Sequence, residues 1–125
     1  MKLISPKLHG FLDNMTIIVL FLSPLVFDMD SVLALTVYLV AVLQFALTIS
    51  TDYEYGLFKI IPFVIHGWIE VFMGCCFIVA ALFFRHALNQ QGFYYYAALA
   101  AIYLLVPALT RFRAAKYARD IRSVL

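Results

Sequence analysis

The stretch Leu8-His9-Gly10-Phe11-Leu12-Asp13 returns 57 residues later as Ile65-His66-Gly67-Trp68-Ile69-Glu70, and Lys2-Leu3-Ile4 ahead of the first copy returns as Lys59-Ile60-Ile61. Every matched pair is identical or chemically conservative. Self-similarity at a fixed offset marks a structural unit used twice. A weaker echo joins the far ends of the two units. There Thr51-Asp52-Tyr53 lines up with Thr110-Arg111-Phe112 once a longer second hairpin loop absorbs two residues.

Each copy opens a long apolar stretch. Of the 125 residues 66% are apolar and only 13% charged, more than a water-soluble domain of this size can hide in one core. Lipid is therefore the expected solvent for most of the surface. The runs reach from about Phe11 to Phe27, from just after the acidic turn Asp28-Met29-Asp30-Ser31 to near Ser50, from Phe63 to Phe84 and from about Phe93 to Thr110. None alternates with a period of two, and each is long enough as a helix to cross a hydrocarbon core of roughly 30 Å. Ser31 is the expected N-cap of the second helix. Pro24 and Pro107 fall late in the first and fourth runs and should bend or end them. Asp13 interrupts the first run and no small-residue cleavage pattern follows it, so the reading is a retained span rather than a secretory signal.

The expected fold is thus all-α, a four-helix transmembrane bundle of two tandem two-helix repeats, followed by a short basic C-terminal helix. It forms one membrane domain, with the first repeat over about 1–57, the second over about 58–112 and the tail over 113–125. Since each repeat holds two spans, both enter the membrane from one side, which implies a pseudo-two-fold axis along the membrane normal. Lys2, Lys7, Lys59 and the five basic residues after position 110 fall on one side and Arg85 on the other, so both termini are expected in the cytoplasm, with the chain in the inner cell membrane. Tyr53, Tyr55, Phe58, Phe83, Phe84, Tyr94, Tyr95 and Tyr96 crowd the span ends as interfacial anchors. Beyond Thr110, Ala114, Tyr117, Ala118, Ile121 and Leu125 recur at helical spacing while Arg113, Lys116, Arg119 and Arg122 fill the other faces, which reads either as a tail lying on anionic lipid headgroups or as a solvated basic stub. Cys75 and Cys76, adjacent in an apolar run, read as packing thiols.

Architecturally the whole chain resembles the SPW-repeat membrane proteins, whose repeat is a pair of transmembrane helices with a Ser-Pro-Trp motif in the first. Here the motif is Ser23-Pro24-Leu25, with Leu25 in place of Trp, and the second copy carries Val79-Ala80-Ala81 in that region. The resemblance implies the fold and brings no mechanism with it.

The chemistry-bearing residues are the repeated pairs. His9 and Asp13, and His66 and Glu70, stand four apart, so each pair shares a helix face about one turn apart. Carboxylates within a span cost on the order of 2.5–3.5 kcal/mol at mid-depth, and this chain carries one in each copy. Three explanations stay open. The acids are neutralised locally and fix helix packing; or both pairs converge on the axis as a polar pocket for a proton, a cation or a small polar ligand, with possible use in transport; or His9, Asp13, His66 and Glu70 bind a metal such as zinc, iron or manganese. Gly10, Gly67 and Gly74 are expected to let the first and third helices pack closely. Asp52 and Arg111, at matching ends with opposite charge, are candidates for an ion pair that closes the bundle.

No phosphate loop, nucleophile elbow, Cys-x-x-Cys pair or basic groove with stacking aromatics occurs, so nothing specific points to an enzyme, to nucleic acid or to a named cofactor. The reading is an ion- or ligand-binding membrane protein, with a scaffold or accessory subunit of a membrane complex as the alternative. Four helices enclose little lumen, and a conducting pathway would call for a homo-oligomer or a larger membrane complex.

Overall fold

The computed structural model of the chain describes residues 3–87 and 89–112. Lys2 and the basic tail with Arg113, Lys116, Arg119 and Arg122 lie outside the described residues, and so does the expected C-terminal helix. Four helices dominate: α1 (Pro6–Val26), α2 (Ser31–Ser50), α3 (Phe63–Ala87) and α4 (Gln90–Leu109). All four are long and apolar enough to cross a membrane.

Their ends follow from local chemistry. Ser5 caps α1 by accepting from Leu8 N–H, and Pro6 takes a first-turn position where no N–H is needed. Pro24 lies two residues before the end of α1, and Asp28 then turns the chain in the left-handed region at φ 47°. The cap of α2 is Asp30 rather than the expected Ser31: its carboxylate accepts from both Val32 and Leu33 N–H, which a serine hydroxyl in the first helical position cannot do. Asn89 caps α4 in the same way through Gly92 N–H. Pro107 stands two residues before the end of α4, where Thr110 N–H returns to Pro107 O.

Two short parallel pairings gather the helix ends. Strand β1 (Thr51–Asp52), just after α2, pairs with β2 (Ile61–Pro62), just before α3; Thr51 faces Ile61. A single bridge likewise sets Ile4, before α1, against Thr110, after α4. The N-terminal ends of α1 and α3 and the C-terminal ends of α2 and α4 therefore meet at one face. The connector between β1 and β2 closes over α2, where Leu57, Phe58 and Ile60 N–H groups satisfy the terminal carbonyls of Ile49 and Ser50. At the opposite face Asn89 Nδ2 donates to the Asp30 carboxylate, and Gln91 Nε2 donates to Phe27 O, tying the two hairpin loops together.

Between these faces the core is apolar and aromatic. Leu20, Leu33, Val37 and Ala41 of the first hairpin meet Phe77, Ala81, Phe84, Tyr96 and Leu99 of the second. Phe77 meets Tyr103 edge-on at 4.9 Å and Phe84 stacks on Tyr96 at 5.5 Å. Phe84 and Tyr96 are thus core residues, not interfacial anchors, because their helix faces turn inward; Phe58, Phe83 and Tyr94 stay exposed as expected. Leu25, Leu35, Leu43, Phe72, Val79 and Leu105 cover the outside. So continuous an apolar exterior belongs in hydrocarbon. Cys75 and Cys76 also face outward, so they are lipid-facing rather than core-packing thiols.

Candidate functional site

His9 and His66 each stand in the fourth position of their helix, at the face where all four helix ends gather. One turn further on, Asp13 and Glu70 share the same faces as their histidines. The helical rise alone sets these pairs; the packing of α1 against α3 brings the two pairs together. Both histidines are wholly buried, and Asp13 and Glu70 are 4% exposed.

The contacts run across the helices as well as along them. His9 Nε2 lies 2.9 Å from Glu70 Oε2 and 3.5 Å from Asp13 Oδ1, while His66 Nε2 lies 3.1 Å from Asp13 Oδ2 and 3.3 Å from Glu70 Oε1. The cross-helix contact is the shorter one for each histidine. The imidazole centroids are 5.3 Å apart with the planes at 71°. One ligand-type atom from each of the four residues falls within 4.8 Å of all the others, close enough to share a single metal ion. Despite these short separations, neither Nε2 has a hydrogen-bond partner among the described residues, and Glu70 Oε2 has none either. At these distances the missing hydrogen bonds mean that the ring N–H directions are poorly aligned with the nitrogen–oxygen lines.

The outward ring nitrogens are held by two threonines. His66 Nδ1 is 2.7 Å from Thr51 Oγ1, and His9 Nδ1 is 2.7 Å from Thr110 Oγ1. Each threonine hydroxyl in turn donates to the carbonyl four residues earlier, Leu47 O or Val106 O, at 2.6 Å. Tyr53 Oη donates to Asp13 Oδ2 at 2.9 Å. Burial first, and then the Asp13 charge beside it, push the Tyr53 hydroxyl above its ordinary range and keep it a donor. An aromatic cap covers the cluster: Phe63 lies edge-on to His9 at 5.2 Å, stacks with Tyr53 at 5.3 Å and meets Phe112 at 4.7 Å. Beneath the carboxylates is a cavity of about 10 Å³ bordered by Thr16, Gln44 and Tyr103, with Tyr103 Oη donating to Gln44 Oε1 at 2.9 Å. That is room for about one water and for no organic ligand.

His9, Asp13, His66 and Glu70 are therefore brought together as the sequence suggested. The glycines serve a different contact from the one expected. Above Gly10 lie the rings of Tyr53 and Tyr55, above Gly67 the ring of Phe112, and only Gly74 admits a neighbouring helix, through Tyr103 and Leu104 of α4. Gly10 and Gly67 thus make room for the cap rather than for each other's helix. Among the described residues Asp52 and Arg111 do not form the ion pair expected of them, and the close nitrogen–carboxylate contacts are those of the cluster.

Sequence reasoning passed over Thr51, Thr110, Tyr53 and Gln44. The signal for the threonines was present in the Thr51/Thr110 echo, whose charged neighbours drew the reading instead. Gln44, a lone amide in the middle of α2, was visible as a polar residue inside a span.

Fold and site together define a multi-pass helical membrane protein with a buried polar cluster at one face. No protein-family model, curated protein or solved structure matches the chain.

Proposed function

We propose that this protein binds a metal cation in the His9, Asp13, His66 and Glu70 cluster, and that the ion clamps two duplicated hairpins at the face bearing the chain termini. The observation that carries this reading is the convergence of four buried ligand-type atoms within 4.8 Å of one another. Two carboxylates removed from water cost several kcal/mol each unless countercharge sits beside them. A cation supplies that charge, and the cavity of about 10 Å³ leaves no space for a larger ligand.

Matching contacts support the duplication and its pseudo-two-fold axis. Thr51 holds His66 as Thr110 holds His9, Ile61 pairs with Thr51 as Ile4 pairs with Thr110, and the two helix caps Asp30 and Asn89 meet at the far face. The same two-helix unit keeps the SPW-repeat relationship as our proposal for its ancestry. The charge distribution supports cytoplasmic termini, which would set the cluster near the cytoplasmic face of the inner membrane.

A second reading has its own observation. The threonine contacts already join one hairpin to the other, as a scaffold or accessory subunit would need without any ion. The two part company in one experiment: elemental analysis of the full chain purified in mild detergent, beside the His9→Ala/His66→Ala variant. Cation binding expects one ion per chain in the wild type and none in a variant that still elutes as a folded species. Wild-type protein free of any ion, with a variant that no longer folds, leaves the scaffold.

A further inference from the structure

Resting on that cation-binding reading, we propose that the ion is a divalent first-row transition metal of the zinc class, held by both Nε2 atoms and both carboxylates in a four-coordinate shell for which Thr51 and Thr110 prepare the imidazoles.

The argument begins with one proton on each threonine. A hydroxyl carries a single donor, and each of these is spent on a main-chain carbonyl, Leu47 O or Val106 O, which can only accept. Toward the histidine the same oxygen can therefore only accept, so Nδ1 of His66 and of His9 bears the hydrogen at 2.7 Å. In a neutral imidazole this leaves Nε2 as a lone pair. Both Nε2 atoms are turned inward, both rings are wholly buried, and neither Nε2 makes a hydrogen bond to the carboxylate oxygens near it. A lone pair facing a carboxylate is repulsive, and a cation between them reverses the sign. Hydrogen bonding of the remote ring nitrogen to an oxygen is also how metal-binding histidines are held in orientation.

Charge, size and donor type then narrow the ion. Two carboxylates and two neutral imidazoles carry two negative charges, which a dication closes; a monovalent ion would leave one charge exposed to a low dielectric. Ligands about 2.0–2.1 Å from a tetrahedral ion lie roughly 3.3 Å from one another. The nearest carboxylate oxygen to each Nε2 is close to that separation, Glu70 Oε2 at 2.9 Å from His9 and Asp13 Oδ2 at 3.1 Å from His66, and one donor atom from each of the four side chains lies within 4.8 Å of the rest. Calcium takes six to eight oxygens at longer range, and magnesium an octahedron of oxygens with several waters, whereas half of the converging side chains here offer nitrogen. Imidazole nitrogen favours zinc and its transition-metal neighbours over either.

The test uses the full chain produced in medium where cobalt replaces zinc and iron, purified in mild detergent. The expected result is one cobalt per chain with the intense visible bands of a four-coordinate centre, lost on exchange with zinc and unaffected by excess magnesium. Thr51→Val and Thr110→Val, which keep the side-chain shape and lose the acceptor, should each weaken retention against a chelator by about 10–100-fold, with Thr→Ser at either site restoring it. The weak spectrum of six-coordinate cobalt, or displacement by magnesium, overturns the transition-metal shell while the cation reading stands. A chain that holds no ion of any kind overturns both. Unchanged retention in both valine variants overturns the positioning role of the threonines, and the wild-type spectrum needs no variant to fold.

Discussion

Tyr53 Oη donates a 2.9 Å hydrogen bond to Asp13 Oδ2, whereas Phe112, which covers Gly67 as Tyr53 covers Gly10, has no hydroxyl to offer Glu70. The two sides of the cluster are thus alike in framework and unlike in polarity. The shorter acid has a hydroxyl to fix it, and the longer one reaches His9 by itself at 2.9 Å. This asymmetry makes the two sides separately testable.

Tyr53→Phe should destabilise the protein by about 1.5–3 kcal/mol, the range for a hydrogen bond to a charged group, because Asp13 Oδ2 loses its donor inside a sealed site. Thermal unfolding in detergent measures it. A melting temperature equal to the wild type would mean that the hydroxyl does not serve Asp13.

Alkaline pH provides a second view of the same hydroxyl. Its folded-state value is raised above the ordinary 10.0, chiefly by burial and then by Asp13, so unfolded chains ionise this tyrosine before folded ones do. The stabilisation is complete below about pH 10 and is lost as pH rises beyond it. Wild-type protein should lose stability more steeply than Tyr53→Phe between about pH 9 and pH 11, with the other tyrosines cancelling in the comparison. Parallel curves would count against the assignment.

Much of this was readable without coordinates. The four spans were fixed by run length and by the shortage of charge, and the His-x-x-x-acid pairs by helical geometry alone. The meeting of those pairs was an expectation drawn from the self-similarity at an offset of 57 residues, and the short contacts between His9, Asp13, His66 and Glu70 agree with it. What the sequence hid was the division of labour around them. Thr51 and Thr110 look like ordinary helix ends, and their roles depend on backbone pairings of two residues or fewer, too short to leave a strand pattern. Tyr53, Phe84 and Tyr96 sit where an interfacial aromatic would sit, and only the rotation of each element decides whether the ring turns to lipid or inward.

Gly10→Ala and Gly67→Ala separate the two sides of the cap. An added Cβ at Gly10 would collide with the rings of Tyr53 and Tyr55, and one at Gly67 with Phe112. Each should cost about 1–3 kcal/mol as overpacking. Because Tyr53 also holds Asp13, Gly10→Ala should in addition lower ion retention more than Gly67→Ala does. Equal retention in the two variants would argue that the cap and the cluster are independent.

The opposite face supplies a control. Asn89 caps α4 through Gly92 N–H and reaches across to Asp30, the cap of α2. Asn89→Ala should cost about 0.5–2 kcal/mol as a lost cap and leave the ion content unchanged, since the two faces are separated by the length of the helices. Ion loss in this variant would show that the hairpins move as one body on the cluster.

Cys75 and Cys76 test the lipid-facing surface directly. Both are exposed near the middle of α3, a helix of 25 residues, between Gly74, which packs on α4, and Phe77, which packs in the core. If hydrocarbon covers that surface, a membrane-permeant maleimide should reach the thiols in native vesicles only slowly, because the reactive thiolate is disfavoured where no water solvates it. A charged, impermeant maleimide should not react from either side. Transfer into detergent and mild denaturation should then open both cysteines to both reagents, read as added mass on the intact chain. Rapid labelling of sealed vesicles by the charged reagent would place this face in water and would remove the membrane-spanning assignment of α3.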